Sequence, residues 1–287
     1  MQNGLQVKIF EAGSCVHPGF VVKPGSGIKP RVFPAGVGLI SHPTQGYVLF
    51  DTGYHNCFFK STRSFPERFY AWTTPCHYHE ENGIVFQLAK ENITIEQIDH
   101  LVLSHFHADH IAAVGEFRSS VIHCARLGFN AIKTSGRLNG IRKGYLPTLL
   151  PNNVEQQLQF HDQYPIPIAA IFPELLNVDL YCKDLFDDGL IYIINLPGHA
   201  AGQIGLLVRL TNRWICLLAD ACWLIDSLRD GVNQHWIANI LCDDMRAYRH
   251  TLQQLRGFYQ QVGDDVQFVP SHCSETLSLL TTRGWMQ

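Results

Sequence analysis

The sequence carries little charge and concentrates none of it. Charged residues make up 16% of 287 positions and the formal net charge is −3. No run of Lys and Arg is longer than a pair, so the electrostatic footprint of a nucleic-acid binder is missing. No basic N-terminal region leads into an apolar stretch and a small-residue cleavage site, and no apolar segment approaches the length that spans a bilayer. The longest candidate, residues 214–225, is interrupted by Asp220. The nine cysteines are odd in number and form no Cys-x-x-Cys pair, which speaks against both a disulfide framework and a cysteine-built zinc site. These absences lead to the expectation of a cytoplasmic protein whose partner is a small or apolar molecule, with no nucleic acid and no membrane.

What is present is enough apolar material, 46% of the chain, to bury a large core, and the length fits one domain over 1–287. Short β-rich runs at 5–10, 36–41 and 47–51, bounded by Gly, Pro or Asn, predict a sheet near the N-terminus. Residues 56–78 lose periodicity but gain aromatics (Phe58, Phe59, Phe65, Phe69, Tyr70, Trp72) and read as a long loop. Helical spacing at 83–91 and a capped turn at Thr94-Ile-Glu-Gln lead into a strand at 100–103. A further strand is expected at 121–123 and a helix at 125–137. Gly, Pro and Asn then break every pattern over 139–167. The second half alternates again, with strands at 190–196, 203–209 and 213–218, a hairpin turn at Thr211-Asn212, an amphipathic helix at 243–262 and a strand at 266–269. Two strand-rich halves, each followed by helices, predict an α/β (α+β) sandwich of two sheets covered by helices on its outer faces.

The strongest local signal is Ser104-His105-Phe106-His107-Ala108-Asp109-His110, where an apolar strand ends and a helix begins. Imidazole nitrogens and carboxylate oxygens are zinc ligands, and alternate residues at a strand end project to one side, so His105 and His107 can share a metal. Asp109 and His110 lie just beyond, in reach of a second ion. Three later residues sit at similar strand ends: His199 in Leu196-Pro-Gly-His, Asp220 in Leu217-Leu-Ala-Asp and His272 in Val269-Pro-Ser-His. Together they make seven ligands, the number that two hydrolytic metals need if one carboxylate bridges and each keeps room for a water.

The HxHxDH motif followed by separate His, Asp and His ligands resembles the metallo-β-lactamase superfamily along nearly the whole chain. The resemblance implies a four-layer αββα sandwich with His105, His107 and His199 on one metal, Asp109, His110 and His272 on the other, and Asp220 bridging. It also implies that Asp51, in Leu49-Phe-Asp-Thr-Gly, supports the site by orienting an imidazole. Two Zn2+ per chain are expected, although His and carboxylate ligands admit Fe or Mn as well.

Within that superfamily the N-terminal half is similar to the N-acyl homoserine lactone lactonases, through Gly13-Ser-Cys15, Phe33-Pro-Ala, Asp51-Thr-Gly, the aromatic loop and the closing Pro270-Ser-His. The resemblance implies a homodimer and hydrolysis of an ester-type bond, a lactone foremost, by a hydroxide bridging two metals, with Asp109 and Asp220 as the catalytic carboxylates. An apolar acyl chain would lie along Phe65, Phe69 and Trp72. Two departures stand out. Trp223 occupies the place where those lactonases carry a tyrosine that hydrogen-bonds the substrate, and the interval from His110 to His199 is longer than theirs, which implies an insertion around 139–167 that serves as a lid, a partner surface or a plain surface loop. An indole N–H can donate but cannot accept or titrate, so Trp223 either orients a carbonyl or packs. The remaining readings are a thioesterase, an aryl esterase or another ester hydrolase of the same fold, and more remotely a di-iron redox protein or a non-catalytic binding protein. His55, His77 and His79 offer a further set of ligands, for which solvated loop histidines are the ordinary alternative.

Overall fold

The strands of this chain form where β-branched and aromatic residues run without a helical period, and most are buried on both faces, so they read as continuous apolar runs instead of alternating ones. In the computed structural model, which describes residues 4–22, 25, 27–233 and 242–287, strands β1 (Gln6–Pro18), β2 (Pro30–His42), β3 (Gly46–Phe50), β4 (Cys76–His77), β5 (Ile98–Val102), β6 (Val121–Cys124) and β7 (Leu158–Phe160) build one sheet in the order β4-β1-β2-β3-β5-β6-β7. Strands β8 (Ile166–Pro167), β9 (Tyr181–Asp184), β10 (Ile191–Asn195), β11 (Ile204–Arg209), β12 (Trp214–Ala219) and β13 (Val266–Pro270) build the second in the order β13-β12-β11-β10-β9-β8.

The two sheets share an apolar layer. Val7, Ile9, Ile40, Val48, Phe50 and Val102 from the first meet Ile193, Leu206, Val208, Ile215, Leu217 and Val269 from the second, all buried. A larger cluster lies under the outer helices. There the helix Met245–Val262 buries Tyr248, Thr251, Leu252, Leu255, Phe258 and Val262, the three- and four-residue spacing of an amphipathic helix. Its start is fixed by the Asp244 side chain, which accepts the N–H groups of Arg246 and Ala247. Sheets inside and helices outside make the αββα sandwich.

Two expectations change. Residues 56–78 are not an open loop: they hold the helices Asn56–Ser61 and Arg68–Thr73 and strand β4. Six-residue helices are too short to show a period, and Phe58 and Tyr70, each buried, anchor them by packing. The stretch 139–167, where every pattern breaks, nevertheless holds two strands: β7 pairs in parallel with β6, and β8 pairs antiparallel with β9. Among the described residues no helix is long and apolar enough to cross a membrane.

Candidate metal centre

Every one of the seven ligand-type residues sits at or just past the C-terminal end of a strand. His105 and His107 follow β5, and Asp109 and His110 ride on the one-turn helix Ala108–Ile111. His199 follows β10, Asp220 follows β12 and His272 follows β13. The strand ends converge, so residues far apart in sequence meet in one buried cluster: each of the seven is at most 8% exposed. Ligand atoms of His105, His107, His199 and Asp220 lie within 4.8 Å of one another, as do those of Asp109, His110 and His272. Asp220 reaches both groups, with Oδ2 at 3.2 Å from His199 Nε2 and 3.1 Å from His272 Nε2, and Oδ1 at 3.2 Å from His110 Nε2.

The outer nitrogens of three rings are tied down, which fixes where the inner ones point. His110 Nδ1 donates to Asp51 Oδ2 at 2.7 Å, and His272 Nδ1 donates to the Pro34 carbonyl at 2.7 Å. The Ser104 hydroxyl donates to Asp51 Oδ2 at 2.7 Å, leaving its oxygen to accept His105 Nδ1 at 2.9 Å. Asp51 Oδ1 also accepts the Ser104 N–H at 2.8 Å. One carboxylate thus holds the backbone and two rings of the motif. It does so from a left-handed backbone, φ 61°, a conformation that costs a non-glycine residue about 1–3 kcal/mol and persists only where surrounding contacts enforce it. Ala219, immediately before Asp220, is likewise left-handed at φ 49°.

Facing inward, His105 Nε2 is buried with no hydrogen-bond partner among the described residues, while His110 Nε2 and Asp220 Oδ1 face each other at 3.2 Å. An orphaned buried polar atom costs about 1–3 kcal/mol, so the His105 nitrogen calls for a partner. Charge sharing gives the same indication. Burial works to raise the Asp220 pKa, but His272, His110 and His199 overcome it and hold the carboxyl well below its usual range. Burial works against protonated His199, yet Asp220 raises it to about 9. His110 and His272 are also raised, against burial, by Asp109 and Asp220. Burial, reinforced by neighbouring imidazoles, pushes His105 and His107 well below the ordinary value, so their nitrogens offer free lone pairs. Neutral His105 and His107, ionised Asp220 and three further imidazoles that would give up their protons on binding make a donor set that a pair of divalent cations takes.

Beside the cluster opens a cleft of about 420 Å³ including its open mouth, lined by Cys15, His17, Tyr54, Tyr70, Thr74, His107, Asp109, Gly144, His199, Asp220, Trp223 and His272. Trp223 is 8% exposed and its ring centroid lies 4.9 Å from that of His272. Among the described residues its indole N–H has no hydrogen-bond partner. Phe65, Phe69 and Trp72, expected along the substrate, are not in this lining. They are 58%, 53% and 62% exposed, and the neighbouring turns of the same segment supply Tyr70 and Thr74 instead. A six-residue helix turns one face inward, and a segment this short has no period from which to choose it.

Several lining residues had no sequence signal. Gly144, at φ +76°, packs so closely that a Cβ would fall 2.9 Å from His107 Cδ2; nothing in a broken pattern announces such an approach. Tyr54 follows Asp51-Thr-Gly directly, and its buried hydroxyl faces the Cys15 thiol.

The comparisons with known proteins agree with this picture. Residues 30–127 match the family model described as "Metallo-beta-lactamase superfamily", the stretch that holds the Asp51-Thr-Gly element and the His105-to-His110 motif. The N-acyl homoserine lactonase AttM of Azorhizobium caulinodans is 24% identical over 273 residues, 91% of this chain and 91% of the relative. An N-acyl homoserine lactone hydrolase, solved with N-hexanoyl-L-homoserine at its catalytic metal center, superposes with a TM-score of 0.73 at 17% identity, over 97% of both chains. AidC, described as a dizinc quorum-quenching lactonase, superposes with a TM-score of 0.62 at 16% identity, over 96% of this chain and 90% of its own. The chain has a metallo-hydrolase fold with a His/Asp cluster of metal-ligating chemistry, and relatives named as lactonases.

Proposed function

We propose that this chain is a metal-dependent hydrolase of ester bonds that opens a lactone of the N-acyl homoserine type, using two zinc ions. The observation that carries the reading is the convergence of seven ligand groups from four strand ends on one buried point, with Asp220 facing both halves. His105, His107 and His199 would hold one ion, Asp109, His110 and His272 the other, and Asp220 both. The lactonase names of the relatives and the dizinc description of one neighbour support the choice of substrate and metal. When bound, such ions polarise a carbonyl and lower the pKa of water to about 7.

The protein's own residues account for the rest of the reaction. Addition of water to the lactone carbonyl releases one proton, and breaking the ring C–O bond creates an alkoxide that needs one. Asp109 stands at the cleft, its Oδ2 3.4 Å from His272 Nε2 and 3.7 Å from His110 Nε2; it takes the first proton and delivers it to the second site. Trp223, whose N–H is otherwise unused, donates to the substrate's amide or lactone carbonyl and so takes the part of the lactonase tyrosine. Tyr54, Tyr70 and the indole face add aromatic surface to a cleft otherwise lined by histidines and carboxylates, the part of the lining that an apolar substrate group would use.

The test is hydrolysis of a panel by the zinc-loaded protein: a long-chain acyl homoserine lactone, an aryl ester, an acyl thioester and a phosphodiester. Lactone opening well above the other rates is the expected result. Turnover of the thioester or aryl ester with an inert lactone would assign the same site to a different acyl substrate.

A further inference from the structure

Outside the buried cluster, three residues of different ligand chemistry come together from the segments that follow β3 and precede β6. His55 leads into the helix Asn56–Ser61, Cys57 lies in its first turn and Glu116 closes the 3-10 turn Val114–Glu116. One ligand atom from each lies within 4.8 Å of the others, and all three residues are half-buried. His55 Nε2 is 3.9 Å from Glu116 Oε1, beyond hydrogen-bond reach. Bond lengths of about 2.0–2.3 Å place two ligands of one tetrahedral zinc roughly 3.3–3.8 Å apart, so a small side-chain rotation suffices. The other ring nitrogen, Nδ1, is buried without a hydrogen bond among the described residues. No hydrogen bond therefore commits this imidazole to one orientation.

We propose that His55, Cys57 and Glu116 form a separate, accessible binding site for one further zinc-class divalent cation. An imidazole, a thiolate and a carboxylate are the three ligand types zinc accepts, and a soft sulfur ligand selects against Mg2+ and Ca2+. The partial exposure leaves the fourth position to water. Burial, opposed by Lys60, raises the Cys57 thiol, and burial lowers His55. The imidazole is therefore neutral and ready, while the thiol gives up its proton on binding the cation.

The site joins two segments that already serve the main cluster. Thr52 Oγ1 donates to the His110 carbonyl at 3.0 Å and accepts the Ala113 N–H at 3.1 Å, so residues 51–57 and 110–116 are laced together. A cation on His55, Cys57 and Glu116 closes the same seam from its outer side, beyond Asp51. His77 and His79, close by in sequence, are placed elsewhere: His77 pairs with Ser14 in β4, and His79 caps the turn Glu80–Asn82.

Titration of the metal-free full chain with Co2+ separates this site from the main one, whose seven candidate ligands include no sulfur. The expected result is a sulfur-to-cobalt charge-transfer band in the near ultraviolet whose full amplitude corresponds to one sulfur-bound cobalt per chain. Cys57→Ser should abolish that band and remove one bound cobalt while leaving the visible bands of the remaining cobalt intact. Glu116→Gln should keep the band but weaken its titration midpoint about tenfold or more. Absence of the band in the native chain, or its persistence in Cys57→Ser, would overturn the proposal. The readout does not depend on hydrolytic activity, so it stands apart from the fate of the proposed function.

Discussion

Asp51 Oδ2 and His110 Nδ1 lie 2.7 Å apart, joining the end of β3 to the metal-motif helix across 59 positions of sequence. The same carboxylate also takes both polar groups of Ser104. Asp51→Asn keeps the shape but removes the charge that fixes His110 with Nε2 inward. Loss of such an outer partner costs about 10–100-fold in metal affinity or activity. Competition with a chromogenic chelator should show the weaker binding, while circular dichroism remains that of the native fold.

Gly144 touches the ring of His107. Gly144→Ala adds a methyl group 2.9 Å from His107 Cδ2 at a backbone angle that L side chains rarely adopt, so the ring must move or the turn 143–145 must open. Stability should drop by about 1–3 kcal/mol, and zinc content should fall toward one ion per chain. A Gly144→Ala protein with full metal content and native stability would show that the turn is more pliable than its packing suggests.

Trp223 offers an N–H and a flat face to the cleft, and the two roles separate by substitution. Trp223→Phe keeps the ring packed against His272 and Phe33 but removes the donor. Losing one hydrogen bond of about 1–3 kcal/mol should lower lactone kcat/KM roughly tenfold to a hundredfold with zinc content unchanged. An unchanged kcat/KM would reduce Trp223 to a packing residue.

Trp72 packs edge-on against Phe65 at the surface, with ring centroids 5.4 Å apart, outside the cleft lining. Only an acyl chain long enough to emerge from the cleft can reach this pair. Trp72→Ala should therefore raise KM for a long-chain lactone severalfold and leave a short-chain lactone unaffected; equal effects on both would point to a structural role.

Acid stability should be set by a second group of histidines, away from the metal cluster. His100 Nδ1 meets His123 Nε2 at 3.0 Å, and His123 Nδ1 meets His161 Nε2 at 2.9 Å, with Lys183 at the far end. Burial, then His161, His100 and Lys183, lowers His123 to about 3; burial and Lys183, opposed by Asp162, lower His161 to about 4. The unfolded chain protonates these rings near pH 6.5 and the folded chain does not until about pH 3–4. Below pH 6.5 the buried His123 should therefore remove about 1.4 kcal/mol of stability per pH unit, and His161 acts in the same direction. Their contribution is complete above that pH. Urea midpoints measured from pH 7 to pH 4 should fall steeply in the native protein, and less so in His123→Gln.

How much of this could be read without coordinates follows from the range of the interactions involved. The motif His105 to His110 is local: four ligand types within six residues at a strand end need no tertiary information to be noticed, and the strands themselves announce their apolar runs. His199, Asp220 and His272 could be proposed because each ends a legible strand. By itself the sequence determined the sandwich class and where each candidate ligand stands along its strand.

Only the tertiary structure decided which side chains share a space. The closeness of Gly144 to His107, the turn of Tyr70 inward and of Phe65, Phe69 and Trp72 outward, and the meeting of His55 and Cys57 with Glu116 all depend on contacts between segments whose own patterns are irregular. Short helices and glycine-rich turns take their conformation from what they pack against, not from a period of their own, so residues 56–78 and 139–167 are shaped by the two sheets beneath them.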